Sequence, residues 1–223
     1  MRVVTYATHS FGTFEEIVGN PYGIHVDVLG FGTKWTGFMD KIKGVVEYLE
    51  RLPHNEIVIF IDGFDSKIQK PLDGLEEKFK SLNCKVLISK DPQIPGKFLT
   101  RKIFSTCTDN QTANSGLYMG EAKFLKVFLK GVLDQDSDDD QRNFNMTCSQ
   151  HEWVKTDTKN EIFYNVHSFK REAVPNNVYF VSYPGTPSIQ RYTRSITEYY
   201  TFVLREISLV LLIAALILFM WKM

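Results

Sequence analysis

The run Ile57-Val58-Ile59-Phe60-Ile61-Asp62-Gly63-Phe64-Asp65 carries five consecutive apolar residues straight into an acidic turn. The apolar part, mostly β-branched, reads as a strand over 57–62. Asp62 is therefore delivered to the carboxyl edge of a sheet, and Gly63 lets the chain turn there. Such a turn returns Asp65 towards Asp62. Two converging carboxylates suit a hard cation such as Mg²⁺ or Mn²⁺, which grips a diphosphate and offsets the charge on a departing one. An Asp-Gly turn with a helix-capping aspartate has the same composition, so spacing alone leaves both readings open.

Outward from this strand, residues 3–8, 26–29 and 85–89 form similar short runs ending in polar residues or glycine. Apolar residues at helical spacing lie between them, at Met39, Ile42, Val45, Val46 and Leu49, and again at Leu72, Leu75, Phe79 and Leu82. A short strand is expected at 114–119, a helix at 121–133, a further helical segment from Asp138, and strands at 161–165 and 178–182. Strand–helix alternation of this kind predicts an α/β domain, with a largely parallel sheet covered by helices. Ligands of such sheets bind at the carboxyl ends of the strands.

The chain has 223 residues, of which 43% are hydrophobic and 23% charged, the balance of a globular protein. Lys+Arg and Asp+Glu both total 26, so there is no basic excess to mark a nucleic-acid binder. Cys84, Cys107 and Cys148 show no metal-ligand spacing and are expected as three reduced thiols. The opening Met1-Arg2-Val3-Val4-Thr5-Tyr6 reads as a first strand rather than a leader peptide. Two glycosylation sequons, at Asn110 and Asn145, carry little weight without an export signal.

Residues 207–221 read ISLVLLIAALILFMW and are apolar but for one serine. Extended back through 202–204, with Tyr199, Tyr200 and Trp221 at the interfaces, they are expected to form a C-terminal membrane-spanning helix. The expected organisation is a catalytic-type domain over 1–190, a linker over 191–206 and an anchor over 207–221. The soluble domain is then expected on the cytosolic face of the membrane.

Two further stretches carry polar chemistry. The acidic run Asp134-Gln135-Asp136-Ser137-Asp138-Asp139-Asp140-Gln141 fails as an EF-hand, because Asp139 stands where the loop needs glycine. It reads equally as functional or as the capped start of a helix. Asn114-Ser115-Gly116-Leu117-Tyr118-Met119-Gly120 offers hydrogen-bonding groups for a sugar beside glycines that permit close approach. Phosphate-binding loops, dinucleotide fingerprints, nucleophile elbows and Cys/His clusters are absent from the sequence.

Taken in order, these pieces resemble the glycosyltransferase domain of the procollagen lysyl hydroxylases and related collagen-type glycosyltransferases. The matching pieces are Thr5-Tyr6-Ala7-Thr8, Val28-Leu29-Gly30-Phe31-Gly32 with Trp35 and Gly37, Lys41, Asp62 with Asp65, Asn114-Ser115-Gly116 with Gly120, and Asp138-Asp139-Asp140-Gln141. The resemblance implies a GT-A-type, Rossmann-like mixed sheet flanked by helices, with a UDP-sugar donor and Mn²⁺ (or Mg²⁺). It implies Asp62 and Asp65 as metal ligands, and Thr8, Trp35, Lys41 and Phe64 as donor-site residues, Phe64 replacing a tyrosine that faces the uracil. It implies Asp139, Asp140 and Asn114 as the residues serving transfer, whether by orienting the acceptor hydroxyl, deprotonating it or stabilising the sugar cation. The acceptor is a protein or other hydroxyl, hydroxylysine-type by family alone. One departure stands out: Ser182 occupies the place of a metal-coordinating histidine, with His167 nearby in sequence. A catalytically weakened, membrane-anchored binding or scaffold protein of the same fold is the alternative, and a metal-dependent phosphohydrolase a third reading.

Overall fold

A computed structural model describes residues 1–92, 101, 104–166, 173–184 and 207–221. The chain divides into two compact units, Met1–Pro184 and Gly185–Met223. The strands of the first unit are β1 (Arg2–Tyr6), β2 (Val26–Leu29), β3 (Ile57–Ile61), β4 (Ser66–Ile68), β5 (Val86–Lys90), β6 (Ala113–Glu121), β7 (Val154–Asp157), β8 (Phe163–Asn165) and β9 (Phe180–Ser182). Its helices are α1 (Phe14–Val18), α2 (Met39–Leu49), α3 (Leu75–Ser81), α4 (Ala122–Leu133) and α5 (Asp140–Cys148).

Six strands form the main sheet in the order β2-β1-β3-β6-β5-β7, and β4-β9-β8 form a small second sheet. β1 pairs in parallel with β2 and β3, and β5 in parallel with β7. β6 runs antiparallel to both of its neighbours, β3 and β5. The expectation of a largely parallel sheet is thus corrected to a mixed one, as the family resemblance implied. A strand between two others has its backbone groups satisfied on both sides. β6 accordingly runs longer than the expected 114–119.

The alternation of side chains along each strand builds two cores, one on each face of the sheet. Val4, Val58, Phe60, Val86, Ile88 and Tyr118 face one side and pack on α2, α4 and α5. Val3, Ile57, Ile59, Ile61, Leu87, Leu117 and Met119 face the other, packing on α1, α3 and the small sheet. This explains why 57–61 is apolar at every position: the strand is buried on both faces. Each such side chain contributes roughly 1.5–3 kcal/mol by leaving water.

Short elements escaped the sequence reading. Helix α1 and strands β4 and β7 are each five residues or fewer, too short for periodicity to register. Helix α3 begins three residues later than the expected 72, because Gly74 at φ 71° sits in the left-handed region and ends any helix before it. The thiol expectation is also corrected. Cys107 and Cys148 are joined in a disulfide with Cα atoms 5.1 Å apart, leaving Cys84 free and buried.

In the second unit, residues 207–221 are helical and exposed along their length. Among the described residues no helix is long and apolar enough to cross a membrane. The expected linker 191–206, and the residues of 199–206 that would lengthen the anchor, lie outside the described residues.

The disulfide closes a loop with a sequence separation of 41. Loop closure of that size stabilises by about 2–4 kcal/mol. Cys148→Ser is expected to lower the unfolding free energy by that amount in urea, and the denatured, unreduced protein to titrate one thiol rather than three.

Candidate active site

The antiparallel course of β6 places its amino end beside the carboxyl ends of β3 and β5, so residues distant in sequence meet at one sheet edge. The Asp62 amide donates to the Gly116 carbonyl at 2.8 Å, joining the end of β3 to the start of β6. Asp62 accepts from the Phe64 amide at 3.0 Å, which forms the acidic turn. A Cβ on Gly116 would lie 2.9 Å from Asn114 Oδ1 and within 4 Å of Asp62 and Ser182, so glycine there keeps room for those side chains.

Asp65 is brought back beside Asp62, as the spacing predicted. Burial, then the charge of Asp62, pushes its carboxyl up to about 6. Ser182 Oγ, delivered by β9, donates to Asp65 Oδ1 at 2.9 Å, and the Tyr183 amide donates to the Asp65 carbonyl at 2.7 Å. Ser182, which the resemblance sets in place of a histidine, is thus in contact with Asp65; His167 lies outside the described residues. Two neighbouring, partly buried carboxylates, with a hydroxyl against one of them, fit a hard divalent cation. The set needs further oxygen donors from a bound phosphate or water. Among the described residues no cluster of three His, Cys, Asp or Glu side chains is arranged to hold a metal on its own.

The acidic run divides between two tasks. Asp139 is the N-cap of α5, accepting from the Arg142 amide at 2.8 Å, the capping role its composition allowed. Asp140 instead turns inward and is 5% exposed. Its Oδ2 accepts from Ser115 Oγ at 2.5 Å and from Lys41 Nζ at 2.6 Å. Lys41, on the first turn of α2, also lies 3.8 Å from Asp62 Oδ2. Burial pulls the ammonium's pKa down, but Asp140 and then Asp62 outweigh that, and it stays charged. Beneath this pair the Tyr118 hydroxyl is wholly buried, without a partner among the described residues.

Asn114 lies at the same edge. Its side chain donates to Asp91 Oδ1 at 3.5 Å and to Gln141 Oε1 at 3.3 Å, and accepts from the Gly116 amide at 2.9 Å. Gln141 in turn donates to Asp91 at 3.1 Å. Asp91 was not singled out from the sequence. Its position just beyond β5, at a strand's carboxyl end, was the available signal.

The aromatic residues that the resemblance assigns to a donor site lie to one side. Phe64 packs against His9 and Phe11, with ring centroids 5.3 and 5.9 Å away. Gly12 at φ 60° lets loop 8–13 close onto this turn, where the Thr13 amide donates to the Phe64 carbonyl. Thr8 accepts at its carbonyl from the Gly32 amide at 2.9 Å, tying the β1 end to the loop carrying Trp35. Trp35 is 41% exposed and lies 6.1 Å from the Tyr6 ring. A cavity of about 490 Å³ opens between β2 and α2, with Tyr6, Gly30, Lys34, Lys43 and Arg51 among its walls. Neither Asp62 nor Asp65 lines it, so the paired carboxylates, and not this cavity, define the candidate site.

The edge of this mixed sheet gathers two neighbouring carboxylates, a buried lysine and polar side chains, and it is the candidate active site. Residues 1–180 match the family described as PLOD GT domain, and the chain belongs to that family. It is similar to the Drosophila melanogaster procollagen-lysine,2-oxoglutarate 5-dioxygenase, 24% identical over 202 residues, covering 77% of this chain and 26% of the relative. It is likewise similar to the Caenorhabditis elegans multifunctional procollagen lysine hydroxylase and glycosyltransferase, 24% identical over 215 residues, covering 84% of this chain and 29% of the relative. The chain thus spans between a quarter and a third of the length of these relatives.

Raising the Asp65 carboxyl above its ordinary 3.8 means that ionising it costs stability. Metal-free protein is expected to lose stability as pH rises from about 4 through about 6. Asp65→Asn should remove that dependence and stabilise the chelator-treated protein at neutral pH by about 3 kcal/mol, read by urea denaturation.

Proposed function

We propose that this chain is a metal-dependent glycosyltransferase that moves a hexose from a UDP-sugar to a hydroxyl acceptor. The observation that carries the reading is the convergence of Asp62, Asp65, Lys41, Asp140 and Asn114 at one sheet edge. Its support comes from membership of a glycosyltransferase domain family and from the similarity to the nematode lysine hydroxylase and glycosyltransferase.

In this reading Asp62 and Asp65, with the Ser182 hydroxyl alongside, hold Mn²⁺ or Mg²⁺. The bound cation supplies neutralisation of the diphosphate as it departs. Trp35 and Phe64 present aromatic faces to the base and Thr8 helps shape that loop; Phe64 stacks without a hydroxyl to donate. Lys41 adds a second positive charge for the diphosphate. Asn114, fixed by Asp91 and Gln141, faces the sugar. The acceptor oxygen forms the new bond to the anomeric carbon while the bond from that carbon to the phosphate oxygen breaks. UDP leaves with the electron pair, and the hydroxyl proton leaves to a carboxylate of the acidic group that includes Asp140. Asp139, engaged as a helix cap, acts by holding the start of α5. A hydroxylysine-type acceptor is in keeping with the lysine hydroxylases among the relatives.

A weakened, binding-only member of the family is the second reading, and Ser182 is the observation that favours it. A hydroxyl is a poorer ligand than an imidazole for Mn²⁺, and here it is engaged with Asp65.

The apolar, exposed segment 207–221 is proposed as the membrane contact, with adjoining residues completing a span. The Cys107–Cys148 disulfide favours an oxidising compartment for the folded domain over the cytosolic placement expected from the sequence.

UDP release from UDP-hexoses is the direct assay. Release that requires Mn²⁺, stops with chelator and falls at least a hundredfold in Asp62→Ala is the expected outcome. UDP binding without release or transfer to any hydroxyl acceptor would replace the enzyme reading with the binding-only one. For the tail, the full chain is expected in the membrane pellet after carbonate extraction, and a chain ending at residue 184 in the supernatant.

A further inference from the structure

The charges around Lys41 do not balance. Asp62, Asp65 and Asp140 bring three carboxylates to the sheet edge. Lys41 is the ammonium that both Asp140 and Asp62 contact, at 2.6 and 3.8 Å. The Lys41 and Asp140 side chains are 9% and 8% exposed, so little water screens them. The ammonium sits where it already serves part of the charge that a divalent ion on Asp62 and Asp65 would serve. A second cation arriving there meets like-charge repulsion across a few ångströms of poorly screened protein.

We propose that Lys41 is a built-in counter-cation that makes binding of metal and of nucleoside diphosphate mutually dependent. While it pairs with Asp140 and leans on Asp62, it lowers the affinity of the carboxylate pair for a divalent ion. A nucleoside diphosphate reverses the balance: its phosphate oxygens accept both the ammonium and the metal, so the two cations no longer compete for the same carboxylates. Asp140 does not lose its only partner in this exchange, because Ser115 Oγ continues to donate to it at 2.5 Å. The Lys41 stem is held on α2 beside the Phe38 ring, 5.9 Å from the ammonium, so only its end has to move. Linkage then requires the coupling to be reciprocal: UDP tightens metal binding by the factor by which metal tightens UDP binding. The consequence is a site that holds metal weakly when empty and firmly with donor.

This inference rests on the donor-site reading above, and the experiment separates the two. Mn²⁺ binding to the full chain is followed by the electron paramagnetic resonance of the free ion, with and without UDP, and UDP binding by calorimetry at several Mn²⁺ concentrations. In the unaltered protein UDP is expected to tighten Mn²⁺ binding at least tenfold, and Mn²⁺ to tighten UDP binding equally. Lys41→Met should bind Mn²⁺ alone about tenfold more tightly than the unaltered protein, bind UDP more weakly at saturating Mn²⁺, and lose most of the coupling. Removing the ammonium leaves Asp140 buried and unpaired, so the same substitution is also made on Asp140→Asn, where tighter binding of Mn²⁺ alone should persist relative to Asp140→Asn itself. If Lys41→Met binds Mn²⁺ alone no more tightly in either background, the counter-cation role is overturned while the donor site stands. If the unaltered protein binds no UDP with Mn²⁺ present, the donor-site reading fails and this inference with it.

Discussion

The pairing of β6 antiparallel between β3 and β5 is the constraint on which the site depends. Because β6 runs against its neighbours, Asn114 and Ser115 at its start lie at the edge where β3 ends in Asp62. The hydrogen bond from the Asp62 amide to the Gly116 carbonyl fixes that meeting. Were β6 parallel, those residues would lie at the opposite edge, and Ser115 could not reach Asp140. The two cores follow from the same sheet, since every central strand contributes alternate side chains to the helices on each side.

Around this edge the protein gathers more negative charge than it neutralises. Exposed ion pairs such as Lys80–Glu76 on α3 are surface contacts of small energetic weight. Near Asp62 the Asp140 carboxylate is buried and Asp65 largely so, and a carboxylate removed from water is costly unless a cation is present. Lys41 meets part of that need through Asp140 and Asp62. The raised Asp65 carboxyl reports the part that Lys41 leaves unmet. An arrangement costly to stability and concentrated at the strand ends is characteristic of a functional site rather than of a structural one.

The fixed ends of α5 show how the site is held. Asp139 caps its start, Asn145 bonds both the amide and the carbonyl of Ala113, and Cys148 is linked to Cys107. Asp140 is thereby placed by a helix fastened at three points, which limits its motion relative to Lys41. The buried Asn145 sits in a glycosylation sequon, yet its side chain is fully engaged in this fastening. A short motif thus acquired a purely structural role.

What the sequence by itself determined is local. An apolar run ending in Asp-Gly-Phe-Asp makes a strand and an acidic turn whatever surrounds it, and apolar spacing at Met39–Leu49 and Ala122–Leu133 makes two helices. Those signals depend on neighbours a few residues apart, and they held. Tertiary structure alone decided the direction of β6, the division of the acidic run into a cap and an inward carboxylate, the pairing of Cys107 with Cys148, and the place of Asp91. Each depends on contacts between residues 23 or more positions apart, as with Asp91 and Asn114, or 99 apart, as with Lys41 and Asp140. Composition and periodicity carry no information over such distances, because the closing of the chain and the burial of both sheet faces select those contacts together.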